Sequence, residues 1–300
     1  MFSSVKLVVT KIQVWLQAFR LRTLPLATSS IVLGSFLAAA EKSFNLKVAA
    51  LCFATAVLLQ ILSNLANDYG DSQHGADSSY RQGPERAVQS GRISKTAMRN
   101  ALIVFTGLCL LVGYFLIKDE SFYFHAAGIA AIVAAVAYTV GPKPFGYAGL
   151  GDIFVLLFFG IIGVFGSYYL QTHHLNWLIL LPAFSCGLFC VAVLNINNIR
   201  DFQSDKLAGK RTIPVRLGET RARIYHWLLL IGGFTSALIF TFLNFKSVWQ
   251  LAFIVVVPMI WENGFGIYLK FDANELDPHL KEMAIITLLF SFSFGIGILL

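Results

Sequence analysis

A chain of 300 residues, 57% of them hydrophobic and 13% charged, is excluded from the ordinary soluble class, in which about a quarter of residues carry charge. With a mean hydropathy of +0.70 and repeated apolar runs of about 17–25 residues, enough to cross a ~30 Å hydrocarbon layer as helix, it reads as an integral membrane protein. The formal net charge of +7 sits in loops, where it reports orientation, and no nucleic-acid partner is expected.

Nine apolar spans are predicted, at roughly 23–40, 48–67, 98–117, 122–141, 152–170, 176–198, 224–243, 248–268 and 283–300. The first begins only after Arg20 and Arg22 and is read as an uncleaved span, although "FLAAAEK" faintly resembles a signal-peptide cleavage site. Cys52, Cys109, Cys186 and Cys190 all fall within spans, at no metal-type spacing, and are expected to pack as buried apolar groups. On a nine-span path, 19 of the 23 Lys and Arg residues fall on one side of the membrane. By the positive-inside rule that side is cytoplasmic, so the expected location is the bacterial cytoplasmic (inner) membrane, with a single transmembrane domain over residues 1–300.

Loops on the poor side are short, whereas two long loops on the basic side, about 68–97 and 199–223, hold most of the Asp residues. Each follows an apolar helix that runs into Asn and then Asp: "NLANDYGDSQHGAD" in the first case, "NINNIRDFQSD" in the second. Four spans separate them, so both must emerge on the same face. The spacing fits a weak internal repeat, two units of four helices and a loop.

On a helix, residues three and four apart share a face. Asn64, Asp68 and Asp71 fall at i, i+4 and i+7 with Asn67 beside them, and Asn197, Asp201 and Asp205 fall at i, i+4 and i+8. Asp77 is expected to reach back from the loop. Oxygen ligands without His or Cys suit Mg²⁺, Mn²⁺ or Ca²⁺, and Mg²⁺ commonly completes its octahedron with water and phosphate oxygens. For one Asp, a solvated loop carboxylate is the simpler account; two matched stripes at equivalent helix ends favour metal ions holding a diphosphate. Arg22, Arg81, Arg86, Lys143, Arg200, Lys210 and Arg211 lie on the same side, and Arg22, Lys143 and Arg81 are taken first as phosphate contacts. The Gly- and Pro-rich "AYTVGPKPFGYAGLGD" would direct Tyr138 and Lys143 toward the site, or else form only a tight turn with an interfacial aromatic. Glu262, a carboxylate inside a span, either has a role or snorkels to the surface.

These phrases resemble the UbiA superfamily of intramembrane aromatic prenyltransferases. The first stretch is similar to its Asn-Asp-x-x-Asp motif, and "NINNIRDFQSDKLAGKRTIPVRLG" to its Asp-x-x-x-Asp motif. Together with "RLRTLPLA", "GPERAVQSGRIS", "AYTVGPKPFGY" and "GLGDIFVLLFFG", they resemble the branch that prenylates 1,4-dihydroxy-2-naphthoate in menaquinone synthesis. The third Asp of the first motif is displaced to Asp77, and the Tyr-x-x-x-Lys pattern is stretched to Tyr138 and Lys143, both as in that branch.

The resemblance implies an all-α bundle of nine transmembrane helices around a central cavity. It implies Mg²⁺ held by Asn67, Asp68, Asp71, Asp77, Asn197, Asp201 and Asp205, with Asp68, Asp71, Asp201, Asp205 and Lys143 as catalytic groups. Arg22, Arg81, Tyr138, Lys143, Arg200 and Lys210 would face the diphosphate of a polyprenyl diphosphate. The implied reaction joins the prenyl chain to the naphthoate with loss of CO₂ and diphosphate, giving demethylmenaquinone. A different aromatic acceptor, such as 4-hydroxybenzoate, remains open, as does a cation transporter, which would place acidic residues deep within several spans and break helices at the midplane.

Overall fold

The computed structural model describes residues 10–74, 85–270 and 272–300, and among them it is helical with no strand. The chain enters through α1 (Lys11–Phe19), where Thr10 and Gln13 form a reciprocal cap. Arg20, in the left-handed conformation at φ 51°, breaks the path, and a short 3₁₀ turn leads into α2 (Leu24–Ala40). Then follow α3 (Leu46–His74), α4 (Lys95–Ile117) and α5 (Phe122–Ala137). The next span is α6 (Gly151–Val155), a π-helical stretch (Leu156–Gly166) and α7 (Ser167–Thr172).

The chain continues through α8 (Leu180–Arg200), the short α9 (Phe202–Leu207) and α10 (Ile213–Leu217), and α11 (Glu219–Leu243). A 3₁₀ stretch (Val248–Val256) feeds α12 (Val257–Leu269), and α13 (Ala273–Leu299) closes the bundle. Among the described residues, eight helical stretches are long and apolar enough to cross a membrane. The predicted fourth span differs: α5 has 16 residues, about 24 Å of helix, because Gly141 at φ 113° with Pro142 and Pro144 starts a turn.

The expectation of a long loop from residue 68 is corrected in part, since α3 stays helical through the first motif to His74. α8 is the helix most enclosed by others, packed between the π-helical stretch, α11 and α13, while α13 also packs along α2. Phe189, Phe253, Phe290 and Phe294 fill this part, with Phe189 and Phe290 edge to face at 5.0 Å. A second apolar cluster joins α1, α3 and α4 through Val14, Leu62, Leu65 and Met98. The central cavity is lined from both groups of helices.

Candidate active site

The cavity is about 400 Å³ and has two chemically distinct ends. At the basic rim its wall includes Asn67, Asp71, Asn197, Asn198, Asp201 and Asp205; toward the other rim it is lined by Ile117, Phe124 and Leu170. Between them stands an aromatic ladder. Tyr138 meets Phe145 edge-on at 5.4 Å, Phe145 stacks on Phe154 at 4.0 Å, and Phe154 on Phe158 at 6.0 Å.

The two motifs meet. Lys210 Nζ lies 3.2 Å from Asp71 Oδ1 and 3.4 Å from Asp205 Oδ1, so one ammonium bridges the end of α3 and α9. Asp71 also pairs with Arg86 Nη2 at 2.5 Å and accepts the Tyr147 hydroxyl at 2.7 Å. Lys210 sits 4.8 Å from the Tyr147 ring centroid, a cation–π contact. Burial, with the charges of Asp201 and Asp71, raises the Asp205 pKa from 3.8 to about 6, against the lowering by Lys210. Burial and the Asp71 carboxylate likewise raise that of Tyr147.

The first motif presents a different face from the expected stripe. Asp68 is buried and turned away from the cavity; its carboxylate accepts the backbone N–H groups of Ala87 (3.1 Å) and Val88 (3.2 Å). Asn64, which also borders the cavity, donates to the Phe19 carbonyl at 2.9 Å and to Thr23 Oγ1 at 3.1 Å. Asn67 and Asp71 both line the cavity, with Asn67 Oδ1 accepting from Thr139 Oγ1 at 3.1 Å. Their i, i+4 spacing repeats in Asn197 and Asp201, and Asn64 and Asp68 share it, but of Asp68 and Asp71 it is Asp71 that lines the cavity with Asp201.

Local geometry delivers these groups. A Cβ on Gly70 would overlap the Thr139 carbonyl, so only glycine lets the segment after α5 lie against α3. Gly149, at φ +74°, does the same for the Arg211 carbonyl, and Arg211 N donates to the Tyr147 carbonyl at 2.8 Å. These two close approaches carry Tyr147 and Lys210 to one point. Arg86 is placed by the turn that Asp68 holds, and its second guanidinium nitrogen donates to the Asn67 carbonyl.

Three expected phosphate contacts go elsewhere. Lys143 is exposed and does not line the cavity, because the turn at Gly141 and Pro142 carries it outward; Lys210 is the lysine at the carboxylates. Arg22 donates to Asp277 at 2.7 Å, away from the cavity wall. Arg200 is buried on Asp201, Nε to Oδ1 at 2.9 Å and Nη2 to Oδ2 at 2.8 Å, and reaches Asp277 at 2.5 Å. Tyr138 lines the cavity, and Glu262 is exposed on α12. Asp77 and Arg81 lie outside the described residues.

Tyr147, Thr139 and Asp277 were missed, although "PFGYAG" and "DANELD" both fall on the basic side. Among the described residues no three His, Cys, Asp or Glu side chains converge as a preformed metal cage. The donor set still fits a hard cation: it is all oxygen, comes from both motifs, and already clasps one positive charge in the Lys210 ammonium.

A bundle of apolar helices with oxygen ligands and basic side chains above an aromatic-lined cavity defines a membrane-embedded site for a molecule with a charged head and an apolar tail. The chain belongs to the UbiA prenyltransferase family, whose pattern matches residues 27–290. It is 44% identical to the 1,4-dihydroxy-2-naphthoate octaprenyltransferase of Haemophilus influenzae, over 99% of each chain, and 42% identical to that of Escherichia coli, over 97% of each. Its fold is shared with an apo UbiA homologue from Aeropyrum pernix (TM-score 0.71, 14% identity, covering 91% of this chain and 97% of that one). A UbiA homologue from Archaeoglobus fulgidus bound to GPP and Mg²⁺ is also similar (TM-score 0.65, 18% identity, 95% and 99%). The family assignment replaces the transporter reading.

Proposed function

We propose that the protein transfers a polyprenyl chain from its diphosphate to 1,4-dihydroxy-2-naphthoate, releasing diphosphate and CO₂ and forming demethylmenaquinol, the two-electron-reduced form of demethylmenaquinone. The observation that carries this is the shared Lys210 ammonium, which brings Asp71 and Asp205 together at the charged mouth of an apolar cavity. The near full-length similarity to naphthoate octaprenyltransferases supports the acceptor and an eight-unit donor. The excess of Lys and Arg on the rim that holds the site supports a cytoplasm-facing mouth.

Asn67, Asp71, Asn197, Asp201 and Asp205 would hold the divalent cation, Mg²⁺ by donor chemistry. When bound, Mg²⁺ supplies electrostatic stabilisation of the negative charge that grows on the diphosphate. Arg86 and Lys210, beside the same carboxylates, offer forked and point-charge donors to phosphate oxygens. The C1–O bond of the prenyl group breaks with its electron pair leaving on diphosphate. The faces of Tyr138, Phe145, Phe154 and Phe158 favour the developing allylic cation and exclude water that would hydrolyse it. The naphthoate ring carbon bearing the carboxylate then forms the new C–C bond, and the carboxylate departs as CO₂.

The test is turnover of octaprenyl diphosphate with 1,4-dihydroxy-2-naphthoate in detergent or liposomes, with Mg²⁺ and with EDTA, for the parent and for D71N and D201N. Demethylmenaquinol, read as the quinone after oxidation in air, should form only with the cation, and both variants should lose most of it. Undiminished turnover in both variants sinks the site assignment; product from 4-hydroxybenzoate and none from the naphthoate sinks the acceptor.

A further inference from the structure

Asp277 stands at a junction of three chain segments. One of its oxygens accepts from Arg22, in the turn before α2, at 2.7 Å; the other accepts from Arg200 Nη1, at the end of α8, at 2.5 Å. It belongs to the first turns of α13, and one turn further on Leu280 reaches the cavity. Its side chain is 31% exposed and that of Arg200 is 1% exposed, so the junction runs from the surface into the wall of the site.

Arg200 occupies the very oxygens a cation would need. Its Nε and Nη2 fork onto both oxygens of Asp201, and Nη2 donates as well to Asn197 Oδ1 at 2.9 Å. A guanidinium cannot shed its proton at any working pH, and in a buried setting its charge is weakly screened. Left to Asp201 and Asn197 alone, that charge would oppose a divalent ion at the same ligands. Asp277, on the outer edge of the guanidinium, supplies a compensating negative charge without entering the cavity.

We propose that Asp277 is a positioning residue for the second motif: by sharing Arg200 with Asp201, it keeps Asn197 and Asp201 competent to bind a divalent cation. Arg22, on the other oxygen, fixes the orientation of the Asp277 carboxylate. The inference rests on the metal-diphosphate reading above and extends it to a residue outside both motifs.

The test is Mn²⁺ binding by electron paramagnetic resonance to the full chain in detergent, alongside metal-free melting curves. D277N should raise the Mn²⁺ dissociation constant about tenfold or more, the usual cost of removing a partner that orients a metal ligand. D277E, which keeps the charge, should stay within about twofold of the parent. In an R200Q background D277N should add nothing, because the effect passes through Arg200. A merely structural tie would lower melting temperatures without this dependence on Arg200. If D277N does not fold, D277S, small enough to admit water to Arg200, carries the same expectation. Parental Mn²⁺ affinity in the neutral variant, or an equal loss with R200Q present, overturns the proposal and leaves the metal reading intact. A parent that binds no Mn²⁺ overturns both.

Discussion

Asp68 accepts the backbone N–H of Ala87 at 3.1 Å, and through it the first motif builds part of its own surroundings. The same carboxylate takes the Val88 N–H, and the turn so held presents Arg86 to Asp71. Two Asp residues of one motif therefore have different duties.

Asp68→Ala and Asp71→Asn should separate them. Asp68→Ala leaves two buried N–H groups without their acceptor and should destabilise the protein by roughly 1–3 kcal/mol, with faster proteolysis within residues 85–94. Asp71→Asn should cut turnover on the order of 10²-fold or more while leaving that proteolysis unchanged, as the metal-ligand role proposed for Asp71 requires. Identical proteolysis and turnover profiles for the two variants would refute the division.

Lys210 holds the carboxylates of two motifs together when no other cation does. Lys210→Met should lower the melting temperature in EDTA, because Asp71 and Asp205 then face each other with less compensation. Added Mg²⁺ should recover more stability in the variant than in the parent, as the ion takes over the bridging charge. Calorimetry or fluorescence melting with and without Mg²⁺ reads this directly, and an equal Mg²⁺ response in both proteins would count against it.

Tyr147→Phe keeps the ring beneath Lys210 but removes the hydroxyl from Asp71. A hydrogen bond to a charged group is worth about 1.5–3 kcal/mol, so kcat/KM should fall roughly ten- to a hundredfold. Tyr138→Phe, whose hydroxyl has no such carboxylate bond among the described residues, should lose less. Steady-state kinetics on the two variants would show the reverse order if the assignment of Tyr147 is wrong.

The pKa of Asp205, raised from 3.8 to about 6, makes a pH prediction whose sign can be stated. Between about pH 4 and pH 6 the folded protein holds more protons than the unfolded chain, so the metal-free protein loses stability as pH rises through that window. The loss is up to roughly 3 kcal/mol, set first by burial of the carboxyl and then by the opposing charges of Lys210 and of Asp201 and Asp71. Mg²⁺ competes with the proton, so its stabilising effect should be larger at pH 7 than at pH 5. Thermal melting at both values, with and without Mg²⁺, measures this; the idea fails should Asp205→Asn keep the full pH response.

Hydropathy made the membrane class, eight of the nine expected spans and the shared rim of the two motifs legible, since the need to satisfy every backbone group in lipid leaves an apolar run of this length few options besides helix. The i, i+4 spacing of Asn197 and Asp201 also carried over, and both line the cavity. The first motif was less legible. Two stripes three residues apart, Asn64 with Asp68 and Asn67 with Asp71, are equally good helical patterns, and only the tertiary structure shows that both members of the second line the cavity while Asp68 turns to the N–H groups of Ala87 and Val88.

By itself, then, the order of residues determined the helical bundle, its basic rim and the oxygen-rich chemistry of the two motifs, because periodicity and charge balance are local or cumulative properties of the chain. What only the tertiary structure decided was partnership: Lys210 rather than Lys143 at the carboxylates, Arg22 on Asp277 rather than in the cavity, and Tyr147 on Asp71. Each of these depends on where a turn releases a side chain, through Gly141, Gly149 and the left-handed Arg20. A few dihedral angles at such points redirect a charged group from one face of the rim to another without altering the hydrophobic pattern that specifies the helices.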